Sequence, residues 1–488
     1  MDIHMVYWTK AGKPRLAMEI TMETRKEHDF LGELDIPDDA YYGVQTMRAL
    51  QNFRISNGSI SQYPSFIRGL ALVKKAAALA NTELGVLPAN ISKAICAACD
   101  ELLDGKLHDQ FPVDTIQGGA GTSTNMNANE VIANRALEIM GHKKGEYEFC
   151  HPNNHVNCSQ STNDAYPTAF RIALHQDLGD LMQDMKYLQN GFARKGAEFA
   201  DIVKMGRTQL QDAVPMTLGQ EFAAYATTIG EDIQRIGEAR QLPLEINLGA
   251  TAIGTGINAP PDYARIVCNH LRNLSGLKLV TSENLVEATW DTGAYVQISG
   301  VLKRTAVKLS KICNDLRLLS SGPRTGINEI NLPRLQPGSS IMPGKVNPII
   351  PEVVNQICFD IIGKDVTISL AAEAGQLELN VMEPIIAHTL FRAIERLQRA
   401  CTTLQDKCVS GITANRERCY ELVVNSIGIV TNLVPVIGYE KAALVAKEAL
   451  ASNRSVADVT LAHKFLTKEQ LDKLLSPESM LRPARAHL

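Results

Sequence analysis

The sequence predicts a mainly α-helical protein with a central bundle of long helices. Apolar residues recur at helical spacing for about 35 residues from Tyr166. The same spacing returns in three later stretches, near residues 216–241, 291–320 and 348–408. Strand-like runs are few and short, so a large β-sheet is not expected.

The spacing of apolar residues along the chain changes twice, after about residue 160 and again from about residue 411. We therefore expect an N-terminal mixed, mostly helical domain over residues 1–162, the central helical bundle over 163–410, and a small helical C-terminal domain over 411–488. The first 28 residues, of mixed charge, read as a loose extension of the N-terminal domain.

The long helical patterns also predict association between subunits. In GAYVQISGVLKRTAVKLSKICNDLRLLSS, residues 293–321, the apolar residues lie on more than one stripe of the helix. A helix of this kind needs neighbours on several sides. We expect a bundle that other subunits complete.

Composition and charge exclude several classes of partner. The formal net charge of −4 is spread over 488 residues without long runs of one sign, which argues against nucleic-acid and polybasic membrane binding. No run of about 18 apolar residues predicts a membrane span. Ten scattered cysteines suit reduced thiols, so we expect a cytoplasmic protein.

Four breaks between helical patterns share one design, in which a polar loop containing Gly, Ser, Thr, Asn or Gln leads into a helix. Such residues often only cap the helix. However, a helix N-terminus also attracts anions through its unpaired N–H groups and its dipole. Four such loops, one carrying Lys345, predict a site for a small anion. The loops are GGAGTSTNMNANEV (118–131), NCSQSTNDAYPT (157–168), GRTQLQDAVPMTLGQEF (206–222) and PGSSIMPGKVNPIIPEVV (337–354).

Other kinds of site fit these letters poorly. Five residues rather than four separate Gly338 from Gly344, and Val346 follows Lys345, so the phosphate-loop pattern fails. The glycine-rich GGAGTS and GATAIGTG lack both a preceding strand and dinucleotide spacing. His151 and His155 lie in HPNNHVN, which predicts a loop rather than a zinc-binding helix. We therefore expect the predicted anion site to be built from hydroxyls, amides and one ammonium.

The stretch GSSIMPGKVNP resembles the signature loop of the aspartase/fumarase superfamily. GTSTNMNANEVIANRA, HVNCSQSTND, GRTQLQDAVPMTLGQEF and LGATAIGTGIN join it in the expected order, so the resemblance extends from about Gly32 onward. SQSTND and GRTQLQDAVP are similar to the aspartase branch, whereas fumarases typically read SQSSND and GRTHLQDATP. Gln209 stands where fumarases, and some aspartases, carry His.

The resemblance implies a three-domain, mainly α fold whose helical bundle forms a homotetramer, with active sites shared between subunits. It also implies a carbon–nitrogen lyase that converts L-aspartate reversibly to fumarate and ammonium. No cofactor is implied as required, with activation by a divalent metal such as Mg²⁺ as an open alternative. A class II fumarase and a catalytically silent structural homologue are the competing interpretations.

The family's functional residues carry over onto matching positions of this chain. Ser339 would be the general base that takes the C3 proton, which requires nearby N–H groups to stabilise its alkoxide. Gly338 and Gly344 would allow the loop to open and close. The substrate-binding residues implied by the resemblance are Thr122, Ser161, Thr162 and Ser340 for the side-chain carboxylate, Lys345 and Asn347 for the α-carboxylate, and Asn163, Thr208 and Gln209 around the amino group.

One departure concerns a second anion site. Fumarases read HPND in a loop that resembles such a site, whereas residues 151–154 here read HPNN. The sequence leaves open whether this loop binds a ligand.

Overall fold

A computed structural model describes residues 23–481 of the chain. By internal contacts the chain forms two units. Unit 1 contains the residues up to His175 together with Pro243–Gly293 and Leu370–His388. Unit 2 contains Gln176–Leu242, Ala294–Ser369 and the residues from Thr389 onward. The three-domain division stays a prediction.

The described residues are mainly helical, as the sequence predicts. The four longest helices, α5, α9, α10 and α11, have 37, 27, 25 and 25 residues. The helices in chain order are α1 Val44–Asn52, α2 Pro64–Glu83, α3 Ala89–Leu103, α4 Thr122–Ile139, α5 Thr162–Glu198, α6 Leu218–Ala239, α7 Tyr263–Ser275, α8 Glu287–Trp290, α9 Gly293–Leu319, α10 Ile349–Glu373, α11 Glu383–Lys407, α12 Arg416–Val424, α13 Val434–Ile437, α14 Tyr439–Ser452, α15 Val456–Ala462, α16 Lys468–Leu474 and α17 Pro477–Met480.

The strands of the described residues pair only in twos. Three pairs are antiparallel and the pair β5–β6 is parallel. The expectation of few and short strands is therefore confirmed. The strands are β1 Thr24–Asp29, β2 Gly32–Pro37, β3 Val203–Thr208, β4 Gln211–Thr217, β5 Glu245–Ile246, β6 Val280–Thr281, β7 Ile330–Asn331 and β8 Thr413–Ala414.

The prediction of a loose N-terminal extension is wrong for residues 24–28, and residues 1–22 lie outside the described part. Residues 24–28 belong to β1, which pairs with β2 in unbroken register. The Arg25 guanidinium donates to the backbone oxygens of Pro37, Ala40 and Tyr42 at 3.0, 2.8 and 2.8 Å. These contacts join residues distant in the chain, so local composition did not predict them.

The helical pattern near 348–408 is divided into α10 and α11. Between them the amide of Asn380 donates to the backbone oxygens of Ala371 and Ala372, each at 3.1 Å. These carbonyls lie in the last turn of α10, where the helix leaves them unpaired. Asn380 thus ends α10 although the apolar pattern continues.

In unit 1, close packing places the start of α5 against α2. The Phe66 ring meets the ring of Tyr166 edge-on with centroids 5.0 Å apart. A Cβ atom at Gly69 would lie 2.4 Å from the carbonyl oxygen of Ala169. The glycine therefore lets the two helices approach at backbone distance.

In unit 2, buried charges fix the β3–β4 hairpin. The Lys204 ammonium lies 2.6 Å from a carboxylate oxygen of Glu221 and 2.9 Å from one of Glu329. The other Glu329 oxygen lies 2.9 Å from the Arg207 guanidinium. Because Lys204 and Glu329 are buried, removing one partner would leave an uncompensated charge.

The hairpin also packs against the C-terminal helices. Val203 and Met205 of β3 belong to one buried apolar cluster with Val423, Leu433 and Val459. The Ser426 hydroxyl donates to Asp212 of β4 at 2.7 Å. The C-terminal helices thus support the turn between β3 and β4.

None of the individual helices within residues 23–481 is both long and apolar enough to cross a bilayer. Two consecutive segments, Arg416–Val424 and Ile427–Ile437, reach that composition only when taken together, across a 70° bend.

Gly121, at the start of α4, gives the first testable prediction. Its φ is +91°, and an added Cβ would lie 2.4 Å from the Tyr166 ring. We expect Gly121→Ala to lower the free energy of unfolding by about 1–2 kcal/mol for the left-handed backbone, and further for the clash. Urea unfolding at fixed protein concentration measures the loss.

Gly141 provides the matched control. Its φ is +87°, but an added Cβ meets nothing within 4 Å. Gly141→Ala should show the backbone cost alone. Equal losses for the two variants would contradict the tight contact at Gly121.

Candidate active site

The start of α5 holds three of the predicted substrate-binding residues in a fixed geometry. The backbone N–H of Ser161 donates to Asp164 Oδ1 at 2.9 Å. The backbone N–H of Asn163 donates to Ser161 Oγ at 3.2 Å. These bonds cap the helix and fix the direction of its first turn, which begins at Thr162.

Asp164 also joins this helix start to the loop 247–252. Its Oδ2 accepts the backbone N–H groups of Gly249 and Thr251 at 3.0 and 2.9 Å. The Asn163 side-chain amide donates to the Ala252 carbonyl at 2.7 Å. Asp164 is fully buried, and burial raises its pKa to about 6 although three N–H bonds oppose the shift.

The starts of α4 and α5 lie side by side. The Asn125 amide, in the first turns of α4, donates to the Thr162 hydroxyl oxygen at 3.1 Å. Thr122 begins α4, and its exposed hydroxyl donates to the Gly119 carbonyl at 2.8 Å. Unit 1 thus places Thr122, Ser161 and Thr162 at the N-termini of two helices that the Asn125–Thr162 hydrogen bond joins. The anion site itself stays a prediction.

A buried lysine beneath these helix starts was not predicted. Lys74 of α2 is fully buried, and its Nζ donates to the side-chain oxygens of Asn125, Asn157 and Gln160 at 2.7, 3.0 and 3.0 Å. Burial lowers its pKa to about 7, and the charge of Asp164 opposes the shift. The signal for it was a lysine within the apolar helical run LALVKKAAALA.

Unit 2 contains the signature loop, residues 338–348. The Ser339 Oγ accepts the backbone N–H groups of Ile341 and Met342 at 3.2 and 2.9 Å. Ser340 and Lys345 are exposed, and Lys345 forms no ion pair within residues 23–481. The loop therefore presents a serine with two N–H donors together with a free ammonium.

The ends of the signature loop are held together by hydrogen bonds. The Gly338 N–H donates to the Lys345 carbonyl at 2.7 Å, and the Asn347 amide donates to the Gly338 carbonyl at 2.8 Å. A Cβ at Gly338 would lie 2.8 Å from the Asn347 nitrogen. Gly344 has a φ of +84°. Both glycines are required by local geometry, while their role as hinges stays a prediction.

Thr208 and Gln209 lie on a β-hairpin rather than in an irregular loop. The stretch 206–222 was predicted as a loop before a helix, and its helix does begin at Leu218, behind a capping box formed by Thr217 and Gln220. Before it, β3 and β4 meet at a two-residue turn in which Gln209 and Leu210 have φ of +53° and +62°. The sequence Gln-Leu lacks the Asn-Gly or Asp-Gly signal of such turns, so the sequence pattern did not predict the hairpin.

The predicted site residues fall into both units. Thr122, Ser161, Thr162 and Asn163 belong to unit 1, whereas Thr208, Gln209, Ser339, Ser340, Lys345 and Asn347 belong to unit 2. Their roles in binding and catalysis stay predictions. All four predicted helix starts are present, at Thr122, Thr162, Leu218 and Ile349.

Among residues 23–481, no group of three or more His, Cys, Asp or Glu side chains is arranged to hold a metal ion. The predicted loop at HPNNHVN is instead a π-helical turn over Pro152–Val156. His151 Nδ1 accepts the Asn153 N–H at 3.0 Å, and His155 Nδ1 accepts the His151 N–H at 2.8 Å. These bonds between side chain and backbone stabilise a helical turn that composition did not indicate.

Two regions of the chain match known protein families. Residues 32–363 match a family described as Lyase. Residues 429–482 match a family described as Fumarase C C-terminus. The first match alone covers more than half of the chain.

Three similar proteins extend this result to nearly the full length. An aspartate ammonia-lyase of Helicobacter pylori is 62% identical over 459 residues, covering 94% of this chain and 98% of that protein. A Brucella melitensis structure described as fumarate lyase:delta crystallin bound to cobalt has a TM-score of 0.92 at 55% identity, covering 94% and 100%. A class II fumarase of Schistosoma mansoni has a TM-score of 0.88 at 35% identity, covering 94% and 99%.

The raised pKa of Asp164 predicts a pH-dependent contribution to stability. Its folded-state pKa of about 6 exceeds the ordinary value of 3.8, so the folded protein holds this proton more tightly. The contribution is present below the ordinary value and is lost as the pH rises through about 6. We expect the free energy of unfolding of wild type minus Asp164→Asn to fall from about pH 4 to about pH 7.

Urea unfolding across this pH range checks the difference. Parallel curves for wild type and Asp164→Asn would contradict the buried, proton-binding carboxyl.

Proposed function

The chain belongs to the aspartase/fumarase family of lyases, and we propose that it is an aspartate ammonia-lyase, which converts L-aspartate reversibly to fumarate and ammonia. The observation that carries the catalytic proposal is the Ser339 Oγ, which accepts two backbone N–H groups in the loop that also presents Lys345. The much higher identity to the Helicobacter pylori enzyme than to the fumarase supports aspartate as the substrate.

The difficult step is removal of the C3 proton, beside the side-chain carboxylate of L-aspartate. The resulting aci-carboxylate carries two negative charges on one group. Hydrogen-bond donors must therefore surround its oxygens before the proton leaves, because donors that reorganise during the reaction stabilise the transition state less.

Ser339 acts as the general base in this proposal. A free hydroxyl is far too weakly acidic to be ionised at neutral pH, so its alkoxide needs stabilisation. The N–H groups of Ile341 and Met342 point at Oγ and provide two donors. The alkoxide takes the C3 proton, and the electron pair left on C3 forms the aci-carboxylate. The C2–N bond then breaks as the electrons return to form the double bond of fumarate.

Three groups of residues bind the substrate in this proposal. The hydroxyls of the adjacent helix starts, together with the Ser340 hydroxyl of the signature loop, bind the side-chain carboxylate and its aci form, where the helix N-termini favour negative charge. The lysine of the signature loop and a nearby amide bind the α-carboxylate. Polar side chains of α5 and of the β3–β4 hairpin surround the amino group. The groups are Thr122, Ser161, Thr162 and Ser340 for the side-chain carboxylate, Lys345 and Asn347 for the α-carboxylate, and Asn163, Thr208 and Gln209 around the amino group.

We propose a homotetramer with active sites shared between subunits. Long helices of unit 2 leave large apolar side chains exposed, with Val307 of α9 at 52%, and Phe359 and Val366 of α10 at 60% and 58%. Exposed apolar surface on bundle helices favours burial against another subunit.

The proposed reaction requires no cofactor. Activation by a divalent metal such as Mg²⁺ is a separate proposal, to which no set of residues is assigned. A cytoplasmic location is also proposed, and all ten cysteines are free thiols in keeping with it.

Substrate choice is tested by following fumarate absorbance with purified protein. We expect fumarate to form from L-aspartate, to be consumed with ammonium, and not to form from L-malate. Formation from L-malate alone would show a fumarase. A folded tetramer that turns over neither substrate would show a silent homologue.

Replacing Ser339 tests its role as the base. Ser339→Ala should lower kcat by orders of magnitude with the oligomer intact, because no other group replaces the alkoxide. Ser455→Ala is the matched control, since Ser455 Oγ accepts the Asp458 N–H at 3.0 Å outside the signature loop. The control should lose some stability and keep its kcat. Near-normal turnover by Ser339→Ala would contradict the role.

A further inference from the structure

Lys74 is a buried lysine whose Nζ forms no salt bridge within residues 23–481, although the charge of Asp164 acts on it from a greater distance. It lies in α2 of unit 1 and is fully buried. Three neutral side-chain oxygens, those of Asn125, Asn157 and Gln160, surround its Nζ at 2.7–3.0 Å. Burying a charge without an ion pair is costly, so its position calls for an explanation beyond packing.

The Lys74 Nζ donates to all three of these oxygens, so Asn125, Asn157 and Gln160 each turn the side-chain oxygen toward Nζ and the NH₂ group away. The NH₂ group of Asn125 then donates to Thr162 Oγ1 at 3.1 Å and to Asn157 Oδ1 at 3.1 Å. Lys74 thereby orients Asn125 so that its NH₂ group, rather than its oxygen, faces the Thr162 hydroxyl.

A threonine hydroxyl has one proton to donate. Because the Asn125 NH₂ group occupies a lone pair of the Thr162 oxygen, the Thr162 proton cannot point back along that bond. Within residues 23–481 the Thr162 hydroxyl accepts from Asn125 and donates no hydrogen bond of its own. The proton is therefore available to an acceptor at the helix start.

We propose that Lys74 is a positioning residue, which acts through Asn125 to make Thr162 a hydrogen-bond donor to the side-chain carboxylate of the substrate. The inference rests on the proposed function, because it assigns that carboxylate to Thr162. The donated bond strengthens as the carboxylate gains its second negative charge, so its loss falls mainly on kcat.

We call the chain of hydrogen bonds from Lys74 through Asn125 to Thr162 the relay. Lys74→Met tests its first member, since methionine fills a similar volume without charge. We expect kcat for L-aspartate to fall on the order of 10²-fold, the effect of losing one preorganised donor, with a smaller change in KM. Lys75→Met is the matched control, because Lys75 forms a partly exposed ion pair with Asp100. The control should stay within about twofold of wild type. An unchanged kcat in folded Lys74→Met would overturn the proposal.

Asn125→Asp tests the relay even if Lys74→Met does not fold. An aspartate keeps the shape and places a carboxylate beside Lys74, which offsets the acceptor that it sets against Asn157 Oδ1. Circular dichroism checks that the fold is retained. A carboxylate oxygen accepts but does not donate, so the Thr162 proton would turn inward toward it. We expect a loss of kcat similar to that of Lys74→Met. Full activity in Asn125→Asp would overturn the proposal.

A double-variant cycle distinguishes positioning from general support of the structure. Thr162→Val removes the hydroxyl on which the relay acts. If Lys74 acts through Thr162, adding Lys74→Met to Thr162→Val should lower kcat little further, whereas two independent effects would multiply. Multiplied losses would overturn the proposal.

Succinate binding, measured by calorimetry, separates this inference from the proposed function. We expect Lys74→Met and Asn125→Asp to bind succinate more weakly than wild type, and Lys75→Met to bind it equally well. If wild type shows no turnover of L-aspartate but succinate binding depends on Lys74, the proposed function fails and the relay stands. Unchanged succinate binding and unchanged kcat would overturn the relay alone.

Discussion

A carboxylate that takes up a second negative charge can be stabilised only by donors that are already in place. In the proposed mechanism, this constraint accounts for the hydroxyls and amides at the helix starts. Helix N-termini supply directed N–H groups and a favourable dipole without carrying a full charge. Water would supply similar donors, but it would have to reorganise as the charge develops.

Buried polar tethers hold these helix starts in place. Asp164 caps the start of α5 through the Ser161 N–H and joins it to the loop 247–252 through two further N–H groups. Lys74 joins α2 to the side-chain amides beneath α4 and α5. In unit 2, Lys204 and Glu329 fix the hairpin that carries Thr208. Apolar packing would hold the helices together as well, but it is not directional. Hydrogen bonds to buried charges set orientation, and losing one partner is costly.

Local patterns predicted the long helices, the four helix starts and the residues of the signature loop, because helical periodicity and capping residues act over a few positions. The hairpin at Gln209 was missed because its turn lacks the residues that favour positive φ. The break between α10 and α11 depends on Asn380 reaching back to carbonyls of the preceding helix. Lys74 was missed because its three partners lie 51 to 86 residues away. Which loops share one site was implied only by family resemblance.

The central proposal is that the helix-start hydroxyls bind the side-chain carboxylate of the substrate while Ser339 takes a proton from the carbon beside that carboxylate. A crystal structure of the assembled protein with bound succinate tests this claim most directly. The account predicts one carboxylate within hydrogen-bond distance of the Thr162 hydroxyl and Ser339 Oγ about 3–3.5 Å from the adjacent carbon. Succinate bound away from Thr162, or Ser339 turned away from that carbon in a closed loop, would contradict it.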